Sequence, residues 1–291
     1  MASVIQSEWH HGIRSWRFWV TVALALVLFV VTMVQYANPL ILQVTPRTNN
    51  IYTVTLAFLG GFFQAIWPVL LPVIAVLPAG DGMAVDRRRG VDATVITRVG
   101  WSQYLGGKMV GNALVSVVAV AIAIGAAMGL TAILYPLTLP RYLGWALNTA
   151  LPYRVKISGV FGQMYAPPFH PHFSWAAPGF YLVMAIIVAL WVTAVLSTLS
   201  VAAAIWVRIP ILTLAVPMVL YLGANVASQS LLHDGHLNPP VYAGAYLYWT
   251  PPVSSWAALF FYWAVLAVIV LVVLGWVGVR RREWPSRSVG Q

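Results

Sequence analysis

Long stretches of this chain carry no charged residue, and this feature limits most strongly how the chain folds. Between Arg17 and Arg47 there is no Asp, Glu, Lys or Arg, and similar apolar stretches recur along the 291 residues. Hydrophobic residues make up 61% of the sequence and charged residues 8%, whereas a soluble domain has about 25% charged residues. So few charges do not cover a water-exposed surface. The sequence therefore predicts an integral membrane protein and excludes most soluble enzyme classes.

Six stretches are long and apolar enough to cross a bilayer, for which a helix needs about 20 residues. They predict an all-α fold with six transmembrane helices, which form a single transmembrane domain over residues 1–291. In chain order the predicted spans cover 18–37, 51–79, 109–135, 178–207, 209–232 and 256–279.

Two predicted outer loops, 136–177 and 233–255, are rich in proline and aromatic residues. This composition is typical of short interfacial or re-entrant segments at the depth of the lipid headgroups. Plain anchoring at the interface is the simpler interpretation, and a lid over a substrate path is the alternative.

The distribution of Lys and Arg predicts which side each connection faces, because cytoplasmic loops carry an excess of positive charge. With the N-terminus inside, 12 of the 16 Lys and Arg residues fall in inner segments. We therefore expect both termini and the connection 80–108 in the cytoplasm, and a multi-pass protein of the cell membrane of a prokaryote. The net charge of +10 lies in short clusters without interleaved aromatic residues, so nucleic acid is not an expected partner.

The chain lacks the groups with which it would supply its own energy or chemistry. The predicted spans contain no Asp or Glu, which disfavours a proton relay, although sodium coupling through broken helices stays an alternative. The segment Ser102–Met109 comes nearest to a phosphate-binding loop, but it lacks the first glycine and the final Ser or Thr. Cysteine is absent, which removes disulfides and thiolate sites. We expect no enzymatic activity and no cofactor in this chain.

Two sets of polar residues are weaker candidates for binding. The outer histidines His170, His172, His233 and His236 would form a metal site only if they converged, and their spacing matches no metal motif, so ordinary loop histidines are the preferred interpretation. On the fifth span, three polar residues either line a substrate path or meet the outer interface: Asn225, Ser228 and Gln229.

Small residues on the third span predict close packing between helices. Gly107 and Gly111 have the GxxxG spacing, and Ala121, Gly125 and Gly129 extend the same ridge. Small residues allow helix backbones to approach closely inside a membrane. Packing within the chain and pairing with a second copy are both consistent with this pattern.

The segment 80–108 is the only inner connection with substantial content, and its charge is mixed. Val91, Val95 and Val99 recur at helical spacing, and Arg88 and Asp92 form a possible i, i+4 pair. These features predict an amphipathic helix over 87–99, a break at Gly100 and a return to the membrane. Either the helix anchors the chain to the inner leaflet or it docks a cytoplasmic partner. The aspartates of this segment weaken attraction to anionic lipid and so favour docking.

The order and spacing of Asp86, Gly90, Arg98, Tyr104 and Lys108, between spans two and three, resembles the permease subunits of type-2 ABC transporters. The six-span layout with both termini inside agrees with this resemblance. In that family the stretch forms a coupling helix that inserts into a separate ATPase subunit. The resemblance implies that nine residues dock the ATPase or support its docking, namely Asp86, Arg87, Arg88, Arg89, Gly90, Asp92, Arg98, Tyr104 and Lys108.

The resemblance also implies partners and a direction of transport. ATP and Mg²⁺ would be bound by a cytoplasmic ABC ATPase subunit, and a second permease copy or a related permease would complete the membrane part. The expected activity is export of an amphipathic or hydrophobic substrate, such as a peptide, a lipid or a drug. A stand-alone carrier or channel and a non-transporting membrane scaffold are the alternatives from other classes.

Overall fold

The computed structural model describes residues 1–37, 66–134, 178–207, 209–230 and 256–281. All regular structure in these residues is α-helical, as the sequence predicts, and they contain no strand. The helices in chain order are α1 (Ala2–Arg14), α2 (Trp16–Ala37), α3 (Ile66–Val76), α4 (Gly82–Arg89), α5 (Val91–Val99), α6 (Trp101–Leu134), α7 (Pro178–Trp206), α8 (Pro210–Ser230) and α9 (Trp256–Arg281). The predicted outer loops 136–177 and 233–255, and the first half of the second span, lie outside the described residues.

Among the described residues, two helices are long and apolar enough to cross a membrane. They are Trp101–Ile133 within α6 and Leu182–Trp206 within α7, each with a mean hydropathy of 2.5. A third would be added if α1 and α2, which are bent by 58° at their junction, formed one span. Pro210–Ala224 and Phe260–Val272 are shorter apolar helices. The described residues thus contain two or three candidate spans, and the full count of six stays a prediction.

The start of the third span differs from the prediction. The sequence places it at Met109, after the charge of Lys108, whereas α6 begins at Trp101 and includes Lys108 at the end of its second turn. A lysine is tolerated there because two carboxylates from other helices contact its ammonium group.

Helix α6 lies at the centre of the described bundle and packs against α7, α1 and α2. Its residues Val120 and Ile124 belong to a buried apolar cluster with Phe29 of α2, Leu71 of α3 and Trp263 of α9. The hydroxyl of Ser116 donates a hydrogen bond of 3.1 Å to the Ser197 hydroxyl, which joins α6 to α7 inside the bundle. Helices α1 and α2 are therefore positioned mainly by α6, whereas α3, α8 and α9 pack mainly against α7.

The N-terminal helix α1 crosses the first half of α6 instead of continuing α2. At the junction Ser15 has an extended backbone conformation, and its hydroxyl oxygen accepts a hydrogen bond of 3.3 Å from the backbone N–H of Arg17. This bond caps the start of α2. At the other end of α1 the terminal ammonium donates to the Gln103 side chain on α6, at 3.3 Å. The bend therefore directs α1 across the bundle.

Glycines allow α1 and α6 to approach closely. A Cβ atom added at Gly111 would lie 2.6 Å from the Cβ of Glu8, and one added at Gly107 would lie 2.7 Å from the Cβ of Val4. In contrast, a Cβ added at Gly125 or Gly129 would meet no atom within 4 Å. The GxxxG pair thus packs within the chain, whereas Gly125 and Gly129, further along α6, face open space.

We predict that Gly111→Ala destabilises the protein, because the added methyl group overlaps the side chain of Glu8 and overpacking costs about 1–3 kcal/mol. The matched control is Gly125→Ala on the same helix. Its methyl group meets open space, so it should be neutral or stabilise by up to about 1 kcal/mol. Thermal unfolding in detergent measures both, and equal melting temperatures for the two variants would contradict the α1–α6 contact.

Candidate functional site

The connection between α3 and α6 folds into two short helices. Gly90 follows the last residue of α4 with a φ of +72°, in the left-handed region, and Gly100 follows the last residue of α5 with a φ of +80°. Residues with side chains rarely adopt such angles, so both glycines are suited to their positions. The prediction of one continuous helix over 87–99 is wrong, because the chain turns at Gly90. The predicted break at Gly100 is confirmed.

Lys108 connects three helices through its ammonium group. Its Nζ atom forms ion pairs with Glu8 of α1 and with Asp86 of α4, while Lys108 itself lies on α6. The side chains are 4% exposed for Lys108, 11% for Glu8 and 25% for Asp86. The Tyr104 hydroxyl donates a hydrogen bond of 3.3 Å to Asp86 Oδ2. Because the shared lysine is almost fully buried, each carboxylate holds its helix against α6.

Arg87 connects α4 to the end of α7. Its Nη1 atom donates hydrogen bonds to the carbonyl oxygens of Ala204, at 2.8 Å, and Ile205, at 2.7 Å. The last carbonyl groups of a helix have no partner within the helix and carry negative partial charge, so an arginine is a suitable donor there. The Nε atom also lies 3.6 Å from Asp92 Oδ2 on α5, and the guanidinium lies 5.9 Å from the centre of the Trp101 ring. Asp92 thus pairs with Arg87, not with Arg88 as the helical spacing predicts.

A fourth ion pair fixes the beginning of α4. Asp81 precedes α4 and is buried, and its carboxylate pairs with Arg17 in the first turn of α2. Met83 and Ala84, one turn further along α4, are fully buried in a second apolar cluster together with Tyr104 and Ile205. Ion pairs and apolar packing therefore hold α4 on the bundle, whereas Arg88 and Arg89 at its C-terminal end are exposed.

Helix α5 presents one face to the bundle and one to the surroundings. Val95, Ile96 and Val99 pack against the second apolar cluster, while Val91, Thr94 and Arg98 are exposed. The amphipathic prediction is confirmed, although the inner face is rotated relative to the Val91, Val95 and Val99 stripe. Which face of α5 is buried is determined by the apolar residues of α4 and α6 against which it packs.

The predicted docking residues fall into two groups. Asp86, Arg87, Asp92, Tyr104 and Lys108 make contacts within the chain. The remaining ones, Arg88, Arg89, Gly90 and Arg98, are exposed. All four acidic residues in the described part of the chain are in ion pairs, so the exposed surface of this site is basic.

Sequence reasoning missed Glu8 and Arg17, which supply partners from α1 and α2. Glu8 is the only acidic residue among the first 80 residues, and this isolation was a usable signal.

The other predicted site residues lie away from this site. Asn225, Ser228 and Gln229 belong to α8, but their side chains lie outside the described residues. The histidines His170, His172, His233 and His236 also lie outside them. Among the residues that the structure describes, no group of three His, Asp or Glu side chains is arranged to hold a metal ion.

No protein-family model, no curated protein and no solved structure matches this chain. The resemblance to type-2 ABC permeases therefore depends on the sequence pattern of 86–108 and on the predicted topology.

We predict that Lys108→Met destabilises the protein by about 3–5 kcal/mol, because it leaves the Glu8 and Asp86 carboxylates without their shared cation. Glu8→Gln should cost less, since Asp86 still neutralises the ammonium group. Arg89→Met, at an exposed position, is the control and should change stability by less than about 0.5 kcal/mol. The measurement is unfolding in detergent followed by circular dichroism, and a Lys108→Met protein as stable as the control would refute the three-helix junction.

Proposed function

We propose that this chain is the membrane-spanning permease subunit of an ATP-driven exporter that resembles type-2 ABC transporters. In this proposal the chain crosses the membrane of a prokaryotic cell six times, with both termini and α4–α5 in the cytoplasm. A separate ATPase subunit binds ATP and Mg²⁺, and a second permease copy or a related permease completes the transport path. The cargo is amphipathic or hydrophobic, such as a peptide, a lipid or a drug.

The observation that supports this proposal best is how firmly α4–α5 is attached to the long helices. Arg87 bonds the end of α7, Lys108 joins α4 to α1 and α6, and Asp81 pairs with Arg17 of α2. A force on the exposed face of α4–α5 would therefore act on four other helices together. A coupling element needs this property, whereas a segment that only anchors the chain to lipid needs no such internal bonding.

The internal contacts also reduce the number of residues that are candidates for docking the ATPase. Charges already paired within the chain are poor candidates for an intermolecular contact, because a partner would have to break those pairs. The exposed alternatives are Arg89, Gly90, Val91, Thr94 and Arg98 around the turn and along the outer face of α5. These residues carry positive charge and no negative charge, so the matching surface of the ATPase is expected to be acidic.

In the proposed mechanism, ATP binding closes the two ATPase subunits against each other and moves the docked α4–α5 pair. The ion pairs and the Arg87 hydrogen bonds carry that displacement to α1, α2, α6 and α7. Packed helices shift as rigid bodies between discrete arrangements, so the movement opens or closes the path between the two permeases. The Asp86, Tyr104 and Lys108 side chains transmit the movement, and Arg98 receives it.

We predict that Arg98→Glu weakens binding of the proposed ATPase subunit about tenfold, equal to about 1.4 kcal/mol, because the new carboxylate faces an acidic surface. The matched control is Arg14→Glu, which makes the same charge change at an exposed position of α1 away from α5. Co-purification and ATP-dependent transport in vesicles are the measurements.

Three outcomes would contradict the proposal. Retained coupling in Arg98→Glu would remove the docking role of α5. Equal losses in both variants would show that only total charge matters. Full transport by the purified chain without any ATPase would favour a stand-alone carrier.

A further inference from the structure

A cleft of about 400 Å³ lies between the end of α4 and the start of α8, and it is partly open to the surroundings. Four residues line it: Arg87, Arg88, Ile209 and Pro210. Arg87 and Arg88 directly follow Asp86 of the Lys108 junction at the C-terminal end of α4, and no residue of α5 lines the cleft.

The charge at this cleft is positive. Arg87 is bonded to the α7 carbonyl groups and to Asp92, whereas Arg88 is exposed and has no ion pair within the part of the chain that the structure describes. Pro210 is the first residue of the 21-residue helix α8, and helix N-termini carry positive partial charge. Among the residues that the structure describes here, two arginines and one aspartate leave a net charge of about +1 beside the cleft, and the N-terminus of α8 adds positive partial charge.

The lining residue Ile209 is 55% exposed, and apolar residues close to it in the chain are also exposed. At the end of α7, Trp206 is 62% exposed, and in the first turn of α8, Ile211 is 76% exposed and Leu212 is also exposed. Exposing several large apolar side chains to water is unfavourable, whereas contact with lipid chains is not. Tryptophan is also enriched where membranes meet water. The cleft thus combines a cationic centre with an apolar border at the end of two apolar helices.

We propose that this cleft binds the phosphate group of an anionic phospholipid from the inner leaflet, with the acyl chains lying against Ile211 and Leu212. Basic pockets between membrane helices on the cytoplasmic side recognise such headgroups by charge. The leaflet assignment depends on the orientation given under the proposed function, whereas the binding chemistry does not. An acidic protein partner fits less well, because the apolar border would remain uncovered.

The test is native mass spectrometry of the purified, delipidated full chain in detergent, titrated with phosphatidylglycerol and, separately, with phosphatidylcholine. The unmodified protein should bind one phosphatidylglycerol in preference to phosphatidylcholine. Arg88→Gln should weaken that binding about fivefold, which corresponds to about 1 kcal/mol for one arginine at a membrane surface. The neighbouring Arg89→Gln, an equal charge change at a residue that does not line the cleft, should leave it unchanged.

Several results would overturn the proposal. One is equal affinity for the two lipids, and another is equal weakening by Arg88→Gln and Arg89→Gln. Displacement of phosphatidylglycerol by millimolar glycerol 3-phosphate would indicate a site for soluble anions. Loss of ATPase binding in Arg88→Gln with unchanged phosphatidylglycerol binding would assign the cleft to a protein partner. The lipid titration contains no ATPase, so its outcome is independent of the transport proposal.

Discussion

A lysine ammonium group inside an apolar helix bundle has to be neutralised, and much of this structure follows from that constraint. Removing an ion from water costs several kcal/mol even after relaxation, and the cost is offset only by well-placed opposite charges. Lys108 obtains them from Glu8 and Asp86, which lie on different helices. The need to neutralise one side chain thus brings α1, α4 and α6 together at one end of the bundle.

At the same end of the molecule, the negative charges are paired inside the chain and positive charges are exposed. The four described acidic residues are in ion pairs, and the exposed charges around α4 and α5 belong to arginines. Negative charge is therefore used to hold the segment in place, and positive charge faces outward. Under the proposed orientation this arrangement suits an acidic protein surface at α5 and anionic lipid at the cleft beside α8.

Local sequence signals predicted the elements well and their partners poorly. Apolar length identified the long helices, and Gly100 marked the break before α6. Gly90 offered the same signal for the turn between α4 and α5, but the helical spacing of the flanking valines outweighed it. That spacing also suggested a buried face through these valines, whereas packing against Ile205 and its neighbours partly buries Ile96 and leaves Val91 exposed. A short helix adopts the face that its tertiary contacts require.

The long-range contacts were beyond sequence reasoning for a physical reason. Glu8 and Lys108 are 100 positions apart, and Arg87 and Ala204 are 117 positions apart. No local periodicity links such residues. The start of α6 was misplaced for the same reason: a lysine near an apolar stretch normally marks its end, unless its partners are known. The docking residues were consequently grouped by sequence proximity, and only the structure separates the paired ones from the exposed ones.

The most direct test of the junction measures a distance within the chain. Because the protein has no cysteine, Thr94→Cys on α5 and His10→Cys on α1, both exposed, place two spin labels without removing native thiols. Pulsed electron paramagnetic resonance should give one narrow distance distribution with Lys108 present and a broad, shifted one after Lys108→Met. An equally narrow, unshifted distribution in the variant would mean that the ion pairs do not hold α4 and α5 against the bundle.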